Sequence, residues 1–365
     1  MYIHGEINPN AKYDPMNVFY PCHIADSAHR LSSDGAKYGY ELIHRMKRYC
    51  NVVVVDRKKT TVTSSHLLNS MQYTLPYMFE RFKGADIVHH LDQKPLIYSG
   101  SAPLVTTAHE FMESTHPEFQ AFGRKKTLKD KLMVMYQDYA IRNSLKSDYI
   151  IAVSTLVAEK AASLGYDRRK IKVINVGIDK RYSSPLHRPD RKYKRDFTVG
   201  WLCSANDKKQ LPFAIRSFRK IKDNDLRLKV YGGGYGNDSF RLTGDDKRIT
   251  FMGFAPEPKI VQIYDSFDVF LYPSAYEGFG MPIIEAQARG LPVIIYKAGL
   301  IPKEVRRYCF EAEDEDHMAQ IITGLKSNGY NSKLRKKATE YARGFTWERN
   351  VAETFKFYKK ILGQS

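Results

Sequence analysis

The amino-acid sequence predicts an α/β protein with two doubly wound parallel sheets. Short segments rich in β-branched residues alternate along the chain with longer segments of helical periodicity, and such apolar runs are typical of strands buried on both faces. The alternation stops once and then starts again, so the predicted strands fall into two series. A chain of 365 residues is also long for one hydrophobic core and ample for two. We therefore expect two Rossmann-like domains.

Each series contains five predicted strands. Those of the first series are residues 18–20, 52–55, 86–89, 104–107 and 149–153, and those of the second are residues 197–199, 228–231, 249–251, 269–271 and 292–296. Between the two series, residues 182–195 contain prolines and many basic residues but few apolar ones, which is typical of a linker. The predicted domains are therefore residues 1–182 and residues 196–346.

The composition favours a protein with anionic partners. The chain has 58 Lys and Arg against 40 Asp and Glu, a formal net charge of +18, and such a surface attracts nucleic acid, anionic lipid or phosphorylated ligands. The mean hydropathy is −0.47, and no apolar run approaches the ~20 residues that a transmembrane helix needs. The first residues also lack the pattern of a secretory signal. We expect a cytoplasmic protein, with peripheral contact to the inner face of a membrane as a further possibility.

The cysteines and histidines do not indicate a metal site. The four cysteines and eleven histidines are scattered, without the spacing of zinc ligands or of a redox pair. We therefore predict no bound metal and reduced cysteines.

The most informative segment follows the predicted strand at 269–271. It contains Glu277-Gly-Phe-Gly and then Glu285, with Pro282 between them. A proline costs nothing at the first helical position, so a helix is predicted to begin at Pro282, with Glu285 in its first turn. The two glycines, Gly278 and Gly280, allow the backbone to approach a ligand closely. Two acidic residues therefore flank one strand-to-helix turn.

This turn has the chemistry to hold a sugar and a phosphate together. The exposed N–H groups at a helix start favour an anion. Glu285 would repel a phosphate, but a carboxylate only accepts hydrogen bonds and so suits the vicinal hydroxyls of a ribose. Glu277 suits sugar hydroxyls in the same way. The alternative interpretation is that Glu285 complements its own helix dipole and Glu277 is a solvated loop charge.

The segment resembles the donor-binding signature of the GT-B glycosyltransferases, in particular the retaining family 4, also called glycosyl transferases group 1. The resemblance implies two Rossmann-like domains that face a cleft, the N-terminal one on the acceptor side and the C-terminal one binding the nucleotide sugar. It implies that Glu277 lies by the donor sugar and that Glu285 binds the nucleotide ribose. The predicted contacts to the sugar and its phosphate come from the segment Gly278, Phe279, Gly280 and Met281.

Further segments carry the same resemblance. Residues 149–154 and 172–179 are similar to the part of such proteins that closes the first domain. Phe345-Thr-Trp-Glu opens a predicted helix over residues 347–362, and in the family this helix crosses back onto the N-terminal domain.

Two candidates lie in the N-terminal domain. His109 follows the predicted strand at 104–107, and family members commonly place a histidine here, facing the donor sugar. A lone histidine also occurs as a packing residue at a strand end. Gly35, in Ser-Ser-Asp-Gly, resembles the glycine that lets the donor or acceptor approach the next helix, although a plain helix start has the same sequence pattern.

The cations for a diphosphate are expected after the first strand of the second domain. A diphosphate leaving group develops negative charge, so cations directed at it carry much of the catalysis. The family supplies an arginine and a lysine here, and this chain has Lys208 and Lys209 but Trp201 in place of the arginine. Two solvated lysines at a helix start are the alternative. Glu304 lies in a segment, residues 298–305, that resembles the loop lining the sugar pocket, and its alternative is an acid in a first helical turn.

The predicted function is that of a retaining glycosyltransferase. Resemblance implies that a sugar moves from a UDP- or GDP-linked donor to a hydroxyl of an acceptor glycan or lipid, with His109, Lys209 and Glu277 as the catalytic residues and without an obligate metal. The sequence agrees in having no Asp-x-Asp element directly after any of the predicted strands. The sequence also shows no obvious pair of carboxylates for a double displacement of the kind that glycosidases use.

Two alternative functions and one separate hypothesis remain open at this point. A nucleotide-sugar 2-epimerase of the same fold would convert the donor without an acceptor. A nucleic-acid-binding protein would account for the charge, but Lys and Arg are spread along the chain and no RNA-binding signature is present. Membrane contact is suggested by residues 124–136, which place an apolar stripe beside several lysines. A charged surface helix that packs on the protein's own core would have the same pattern.

Overall fold

The computed structural model describes residues 2–6, 16–21, 34–56, 82–93, 98, 100–111, 135, 138–184, 196–203, 207–233 and 246–364. These residues form two compact units. Unit 1 takes in the described residues up to 177 together with residues 347–364, and unit 2 takes in the described residues from 178 to 346. Each unit contains one β-sheet.

The sheet of unit 1 has seven strands among the described residues, in the order β1-β3-β2-β4-β5-β6-β7. Strand β1 is antiparallel to β3, and the other neighbours are parallel. Strands β4 and β5 are buried along their whole length, as their β-branched sequences predict. The strands are β1 (Tyr2–Glu6), β2 (Asn17–Pro21), β3 (Asn51–Asp56), β4 (Ile87–His90), β5 (Leu104–Ala108), β6 (Tyr149–Ala152) and β7 (Ile171–Val173).

The sheet of unit 2 has six parallel strands among the described residues, in the order β10-β9-β8-β11-β12-β13. The strand order reverses between β8 and β11, and open α/β sheets bind their ligands beyond the carboxyl ends of the strands at such a point. The strands are β8 (Phe197–Leu202), β9 (Leu226–Tyr231), β10 (Ile249–Gly253), β11 (Val269–Tyr272), β12 (Val293–Tyr296) and β13 (Phe310–Ala312).

Helices connect the strands of both sheets. Several of their starts carry side-chain caps: the Ser154 hydroxyl accepts from the N–H of Val157 at 3.2 Å, and Asp314 and Asn331 act in the same way at two later helices. The helices are α1 (Asp34–Met46), α2 (Thr155–Ser163), α3 (Leu211–Arg219), α4 (Ile260–Asp265), α5 (Met281–Ala288), α6 (Lys303–Arg306), α7 (Glu315–Asn328), α8 (Ser332–Arg343) and α9 (Trp347–Ile361).

The predicted α/β fold with two doubly wound sheets is confirmed. Every predicted strand overlaps an observed one, and three of the observed strands, β1, β7 and β13, were missed. Strand β1 lies at the edge of its sheet, and its five residues include a glycine. Strands β7 and β13 also lie at sheet edges, and each has three residues with a charged one in the middle. None of the three has the apolar run from which a buried strand is predicted.

Helix α9 joins unit 1 through buried polar contacts. The Tyr358 hydroxyl shares hydrogen bonds with Nδ1 of His89, at 2.5 Å, and with the Tyr20 hydroxyl, at 3.1 Å. The other ring nitrogen of His89 lies 2.8 Å from Oγ1 of Thr107. Burial, with the neighbouring histidines adding to it, lowers the pKa of His89 to about 3. A neutral imidazole therefore ties α9 to strands β2, β4 and β5.

Trp201 lies in the hydrophobic core of unit 2. All residues of β8 are buried, and Trp201 packs among the aliphatic side chains that fill the space between the sheet and its helices. The position where the family has an arginine is thus a core position in this chain. The local reason is the pattern of β8, which is apolar throughout and so predicts a strand covered on both faces.

In the described part of the chain, no helix combines the length and the apolar character that a membrane span requires. The basic segment 124–136 lies outside the described residues apart from Met135, which is exposed.

Candidate functional site

The candidate site is built on three loops at the switch point of the unit 2 sheet. These loops follow β8, β11 and β12, which are neighbours. The carbonyl of Lys208 accepts from the N–H of Ala275 at 2.8 Å and from the Ser274 hydroxyl at 3.1 Å. Leu300 donates its N–H to the Ala275 carbonyl at 2.8 Å and accepts from the N–H of Glu277 at 3.0 Å. The loop that carries Glu277 is therefore fixed to the loops on both sides.

Lys209 and Glu277 form an ion pair within this site. Nζ of Lys209 lies 2.6 Å from Oε1 of Glu277, and the two side chains are only 11% and 7% exposed. The same Nζ donates to the Tyr272 hydroxyl at 2.6 Å and lies 5.0 Å from the centre of the Tyr272 ring. The structure thus brings together a lysine predicted to bind diphosphate and a glutamate predicted to bind sugar, and each is the other's partner.

The pair keeps Glu277 ionised. Burial alone would raise the pKa of the Glu277 carboxyl, but the charges of Lys209 and Lys208 and the hydrogen bond from Lys209 outweigh it and hold the pKa below its ordinary value. At neutral pH Glu277 is therefore an acceptor of hydrogen bonds. It is unsuited to donating a proton.

The glycine turn between Phe279 and α5 requires its glycine. Gly280 has φ of 95°, a conformation that L side chains rarely adopt. A Cβ there would also lie 3.3 Å from side-chain atoms of Ile283 and Val305. Helix α5 begins at Met281, so Pro282 is its second residue and not the first as predicted. The fixed φ of proline still suits the first turn.

Glu285 lies deeper in the helix than predicted. It is the fifth residue of α5, which places it in the second turn, because the helix begins one residue before Pro282. The side chain is buried, and the Tyr264 hydroxyl donates to its Oε2 at 3.0 Å. Glu285 thus makes a specific buried contact, and its role as a ribose ligand stays a prediction. Glu285 is a buried acceptor held by a phenol.

Phe279 and Glu304 belong to one packed cluster. The ring of Phe279 contacts that of Phe345 edge to face, with centroids 5.7 Å apart, and Phe345 contacts Tyr341 at 5.3 Å. The Tyr341 hydroxyl donates to the carbonyl of Glu304 at 2.8 Å. Glu304 is half-buried in the first turn of α6, and the contact described here is made by its main chain. These contacts link the glycine turn to the first turn of α6.

His109 lies directly after β5 in unit 1. Its Nε2 is 2.9 Å from the Leu91 carbonyl, which only accepts, so Nε2 carries a proton, and in the neutral imidazole Nδ1 is then the acceptor. Oε1 of Gln93 accepts from the N–H groups of His109 and Glu110, at 2.8 and 2.9 Å. The Tyr38 ring contacts the imidazole edge to face at 4.9 Å. The imidazole is therefore fixed in one orientation.

Gly35 is the second residue of α1 and also belongs to unit 1. The serines that precede it in the predicted loop, at positions 32 and 33, lie outside the described residues. Of the predicted site residues, His109 and Gly35 are in unit 1 and the others are in unit 2.

Three tyrosines complete the candidate site and were not predicted. Tyr272 contacts Lys209, Tyr264 contacts Glu285, and the Tyr182 ring lies 6.0 Å from that of Tyr264. Tyr272 is the last residue of β11, at the switch point, and this position is a usable signal. Tyr264 and Tyr182 have no comparable signal, since their contacts arise from tertiary packing. Among the described residues, no group of His, Cys, Asp and Glu is placed to hold a metal ion.

Comparison with known proteins assigns both parts of the chain to glycosyltransferase families. Residues 32–182 match the family model described as Glycosyltransferase Family 4, and residues 196–328 match the one described as Glycosyl transferases group 1. Together the two models span most of the chain.

Curated relatives agree with this assignment. The O-antigen chain mannosyltransferase B of Escherichia coli is 30% identical over 116 residues, which cover 31% of this chain and 30% of that protein. The D-inositol 3-phosphate glycosyltransferase of Mycobacterium sp. (strain KMS) is 26% identical over 275 residues, 67% of this chain and 58% of that protein. The matches thus cover less than two thirds of either relative's own length.

A solved structure agrees in fold. Anabaena HepE in complex with UDP and glucose has a TM-score of 0.62 at 17% identity, over 94% of this chain and all of that one. The fold of two Rossmann-like domains is therefore GT-B. The chain belongs to the group 1, family 4 glycosyltransferases.

Proposed function

We propose that the protein transfers a sugar from a nucleoside diphosphate sugar to an acceptor hydroxyl, with retention of the anomeric configuration. The observation that carries this proposal is the buried pair of Lys209 and Glu277, 2.6 Å apart, where the strand order of the unit 2 sheet reverses. A cation and an ionised carboxylate, which accepts hydrogen bonds, lie side by side there. This is the combination that a phosphorylated sugar requires.

The diphosphate is the proposed partner of the cations. Lys209 and Lys208 supply positive charge, and the start of α5 adds the N–H of Met281, since Pro282 has no N–H and Ile283 donates its own to the Gly280 carbonyl at 3.0 Å. These groups are held in place before the ligand binds, because the loops are tied by main-chain hydrogen bonds. Preorganised charge of this kind stabilises a leaving group as its charge develops. Trp201 does not take part, since it lies in the core.

The sugar and the ribose are the proposed partners of the acids. Glu277, kept ionised by its lysines, accepts from sugar hydroxyls, and Glu285 accepts from the vicinal hydroxyls of the ribose. Gly278, Phe279, Gly280 and Met281 are proposed to approach the sugar and its phosphate through their main chain. His109 is proposed to accept from a sugar hydroxyl through Nδ1, and Gly35 and Glu304 are proposed to border the ligand.

The proposed reaction is a front-face displacement. The bond between the anomeric carbon and the diphosphate oxygen breaks, and its electron pair goes to the phosphate. The acceptor oxygen forms a bond on the same face of that carbon, and its proton passes to a phosphate oxygen. Glu277 is engaged by Lys209, which makes it a poor nucleophile and disfavours a covalent glycosyl intermediate.

The donor is proposed to be UDP- or GDP-linked. The HepE structure contains UDP and glucose, which supports the donor class. The acceptor is proposed to be a glycan or lipid that carries negative charge. The net charge of +18 favours such an acceptor, and one relative is named for a phosphorylated inositol.

Two assays test the proposal. A thermal-shift screen of UDP, GDP and their sugars should show stabilisation by one nucleotide series, since a ligand at 100 times its dissociation constant stabilises the fold by about 2.7 kcal/mol. NMR of the product formed with that donor and an acceptor panel should then show the anomeric configuration of the donor. Conversion of the donor sugar without any acceptor would indicate a 2-epimerase instead.

A further inference from the structure

The loop after β4 holds His109 through two different groups. The Leu91 carbonyl accepts from Nε2 of the imidazole at 2.9 Å, and Oε1 of Gln93 accepts from the main-chain N–H groups of His109 and Glu110, at 2.8 and 2.9 Å. All of these residues belong to unit 1. Leu91 therefore fixes the ring of His109, while Gln93 fixes the main chain that carries the ring.

The carboxamide of Gln93 has only one possible orientation. Two main-chain N–H groups point at the same atom of its side chain, and in a carboxamide only the oxygen accepts hydrogen bonds. The nitrogen, Nε2, is therefore turned away from them, where it is buried and has no hydrogen-bond partner among the described residues. A buried donor without a partner destabilises a fold.

Glutamate at position 93 would make the same two hydrogen bonds without leaving a donor unpaired. Hydrogen bonds to an ionised acceptor are also shorter and stronger than those between neutral groups. A carboxylate would thus serve at least as well for holding the loop. Glutamine differs from it in accepting hydrogen bonds without carrying a charge, so the neutrality of this position calls for an explanation.

A charge at position 93 would act on His109. The imidazole offers an acceptor, Nδ1, only while the ring is neutral, because a protonated ring donates from both nitrogens. Two acids already belong to this segment: Glu110 is next in the chain, and Asp92 accepts from the N–H of Gln93 at 2.7 Å. A third carboxylate, bonded to the main-chain N–H of His109, would favour the protonated ring.

Tyr38, His89 and His90 are further titratable groups around His109. The Tyr38 ring contacts the imidazole edge to face at 4.9 Å, and burial raises the pKa of its hydroxyl. Burial lowers the pKa of His89 to about 3, and the charges of His90 and His109 contribute to this shift. None of the three side chains carries a negative charge at neutral pH. The acids on the two loops are therefore the groups that would stabilise a protonated His109.

We propose that Gln93 is a positioning residue for His109: it holds the main chain of His109 with an uncharged oxygen, so that the imidazole stays neutral and presents Nδ1 as an acceptor to a hydroxyl of the donor sugar. The inference rests on the proposed function and deepens it, because it assigns the state of His109 to a second residue. Gln93 acts through His109 and does not itself touch the ligand.

Three variants separate the charge at position 93 from the contact. Gln93→Glu keeps the acceptor and adds a charge, and Gln93→Met removes the acceptor at nearly the same side-chain length. Gln364→Glu is the matched control, because Gln364 is exposed just after the end of α9. Helix α9 begins with Trp347, which contacts Tyr38, and has 15 residues. The control charge therefore lies about 20 Å from that end of the helix.

The first measurement is the protonation of His109, followed by NMR of histidine-labelled protein from pH 5 to pH 9. A His109→Gln variant assigns the signal. The neutral ring of the unaltered protein should carry its proton on Nε2. In Gln93→Glu the midpoint of the titration should lie about one pH unit higher than in the unaltered protein. It should not rise in Gln93→Met or in Gln364→Glu.

The second measurement is transferase activity over the same pH range, with the nucleotide sugar that stabilises the protein most. At acid pH, Gln93→Glu should be up to about tenfold less active than the unaltered protein, which corresponds to a midpoint one pH unit higher. It should recover at pH 9, where its imidazole is neutral again. Gln93→Met should be less active at every pH, because the main chain of His109 is no longer held. Gln364→Glu should behave as the unaltered protein does.

The outcomes separate this inference from the proposed function. An unchanged midpoint in Gln93→Glu, or a proton on Nδ1 in the unaltered protein, would overturn the positioning role whatever the activity. A raised midpoint without a matching change in the pH profile of activity would also overturn it. Should Gln93→Glu not fold, full activity of Gln93→Met would have the same effect. An unaltered protein that used neither UDP- nor GDP-linked donors would instead contradict the proposed function.

Discussion

Lys209 and Glu277 are 68 positions apart in the sequence and 2.6 Å apart in the structure. The lysine follows β8 and the glutamate follows β11, the two strands between which the sheet order of unit 2 reverses. Their charges neutralise each other in a site that is mostly buried. A ligand with a phosphate for the lysine and hydroxyls for the glutamate could engage both at once, and this relationship leads to the first prediction.

Lys209→Met should destabilise unit 2 strongly. Removing one partner of a buried pair leaves the other charge uncompensated, at a cost of about 3 to 5 kcal/mol. Replacing both charges, in Lys209→Met/Glu277→Gln, should restore stability to within about 1 kcal/mol, since neutral groups of similar size carry no such penalty. Urea unfolding of the single and double variants measures both values, and equal stability of the two would contradict the account.

The pair should also make the free energy of unfolding depend on pH in the acid range. Because the pKa of Glu277 is lower in the folded protein than its ordinary value of 4.5, the unfolded chain binds a proton more readily. The stabilisation is fully present above the ordinary pKa and is lost as the pH falls through the folded pKa. Glu277→Gln should therefore lose less stability than the unaltered protein between pH 6 and pH 3, as measured by urea unfolding at each pH.

His89 should impose a separate pH dependence on unit 1. Its pKa is about 3 in the folded protein against an ordinary 6.5, so between these values only the unfolded chain takes up the proton. Stability should decrease as the pH falls from 6.5, by about 1.4 kcal/mol per pH unit. His89→Gln cannot ionise, and its unfolding free energy should vary less from pH 7 to pH 5. An identical slope in both proteins would exclude His89 as the cause.

Gly280→Ala should weaken the candidate site more than the fold as a whole. The positive φ of 95° costs a residue with a Cβ about 1 to 2 kcal/mol, and relieving it would displace the start of α5. Gly324→Ala is a suitable control, because Gly324 lies within α7 and an added Cβ there meets no atom within 4 Å. That change should stabilise by about 0.5 to 1 kcal/mol. Thermal melting with and without nucleotide measures both effects.

Trp201→Arg, which introduces the arginine that the family carries at this position, should not produce a more active protein. Trp201 is fully buried in β8, so the guanidinium would be an unpaired charge in the core, and such changes are among the most destabilising known. We expect little soluble folded protein. A folded variant with increased activity would mean that this side chain can reach the ligand, contrary to its place in the core.

The sequence predicted the fold better than the site because the two depend on different information. Runs such as residues 52–55 and 104–107 fix strands locally, since a β-branched run of this length favours one structure. The position of Glu285 within α5 depended on a single residue, because the helix begins at Met281 and not at Pro282. Sequence patterns locate the interior of a helix more reliably than its first residue, so they placed Glu285 in the first turn and not in the second.

The contacts that define the site could not be predicted from sequence patterns. Nothing in the spacing of Lys209 and Glu277 indicates that they pair with each other, because the pairing follows from the strand order of the folded sheet. The same holds for Tyr182 and Tyr264, whose contacts require the turn after unit 1, α4 and α5 to be packed. Short edge strands such as β13 were missed since they lack an apolar run.

The most direct test of the central claim is a titration of UDP and GDP into the unaltered protein and into Lys209→Met/Glu277→Gln. The melting temperatures of the two proteins are compared first, to show that the double variant is folded. The account predicts that the unaltered protein binds one of the two nucleotides and that the double variant, although folded, binds it at least about tenfold more weakly, the equivalent of 1.4 kcal/mol. Equal affinities in the two proteins would contradict the claim that this pair forms the donor site.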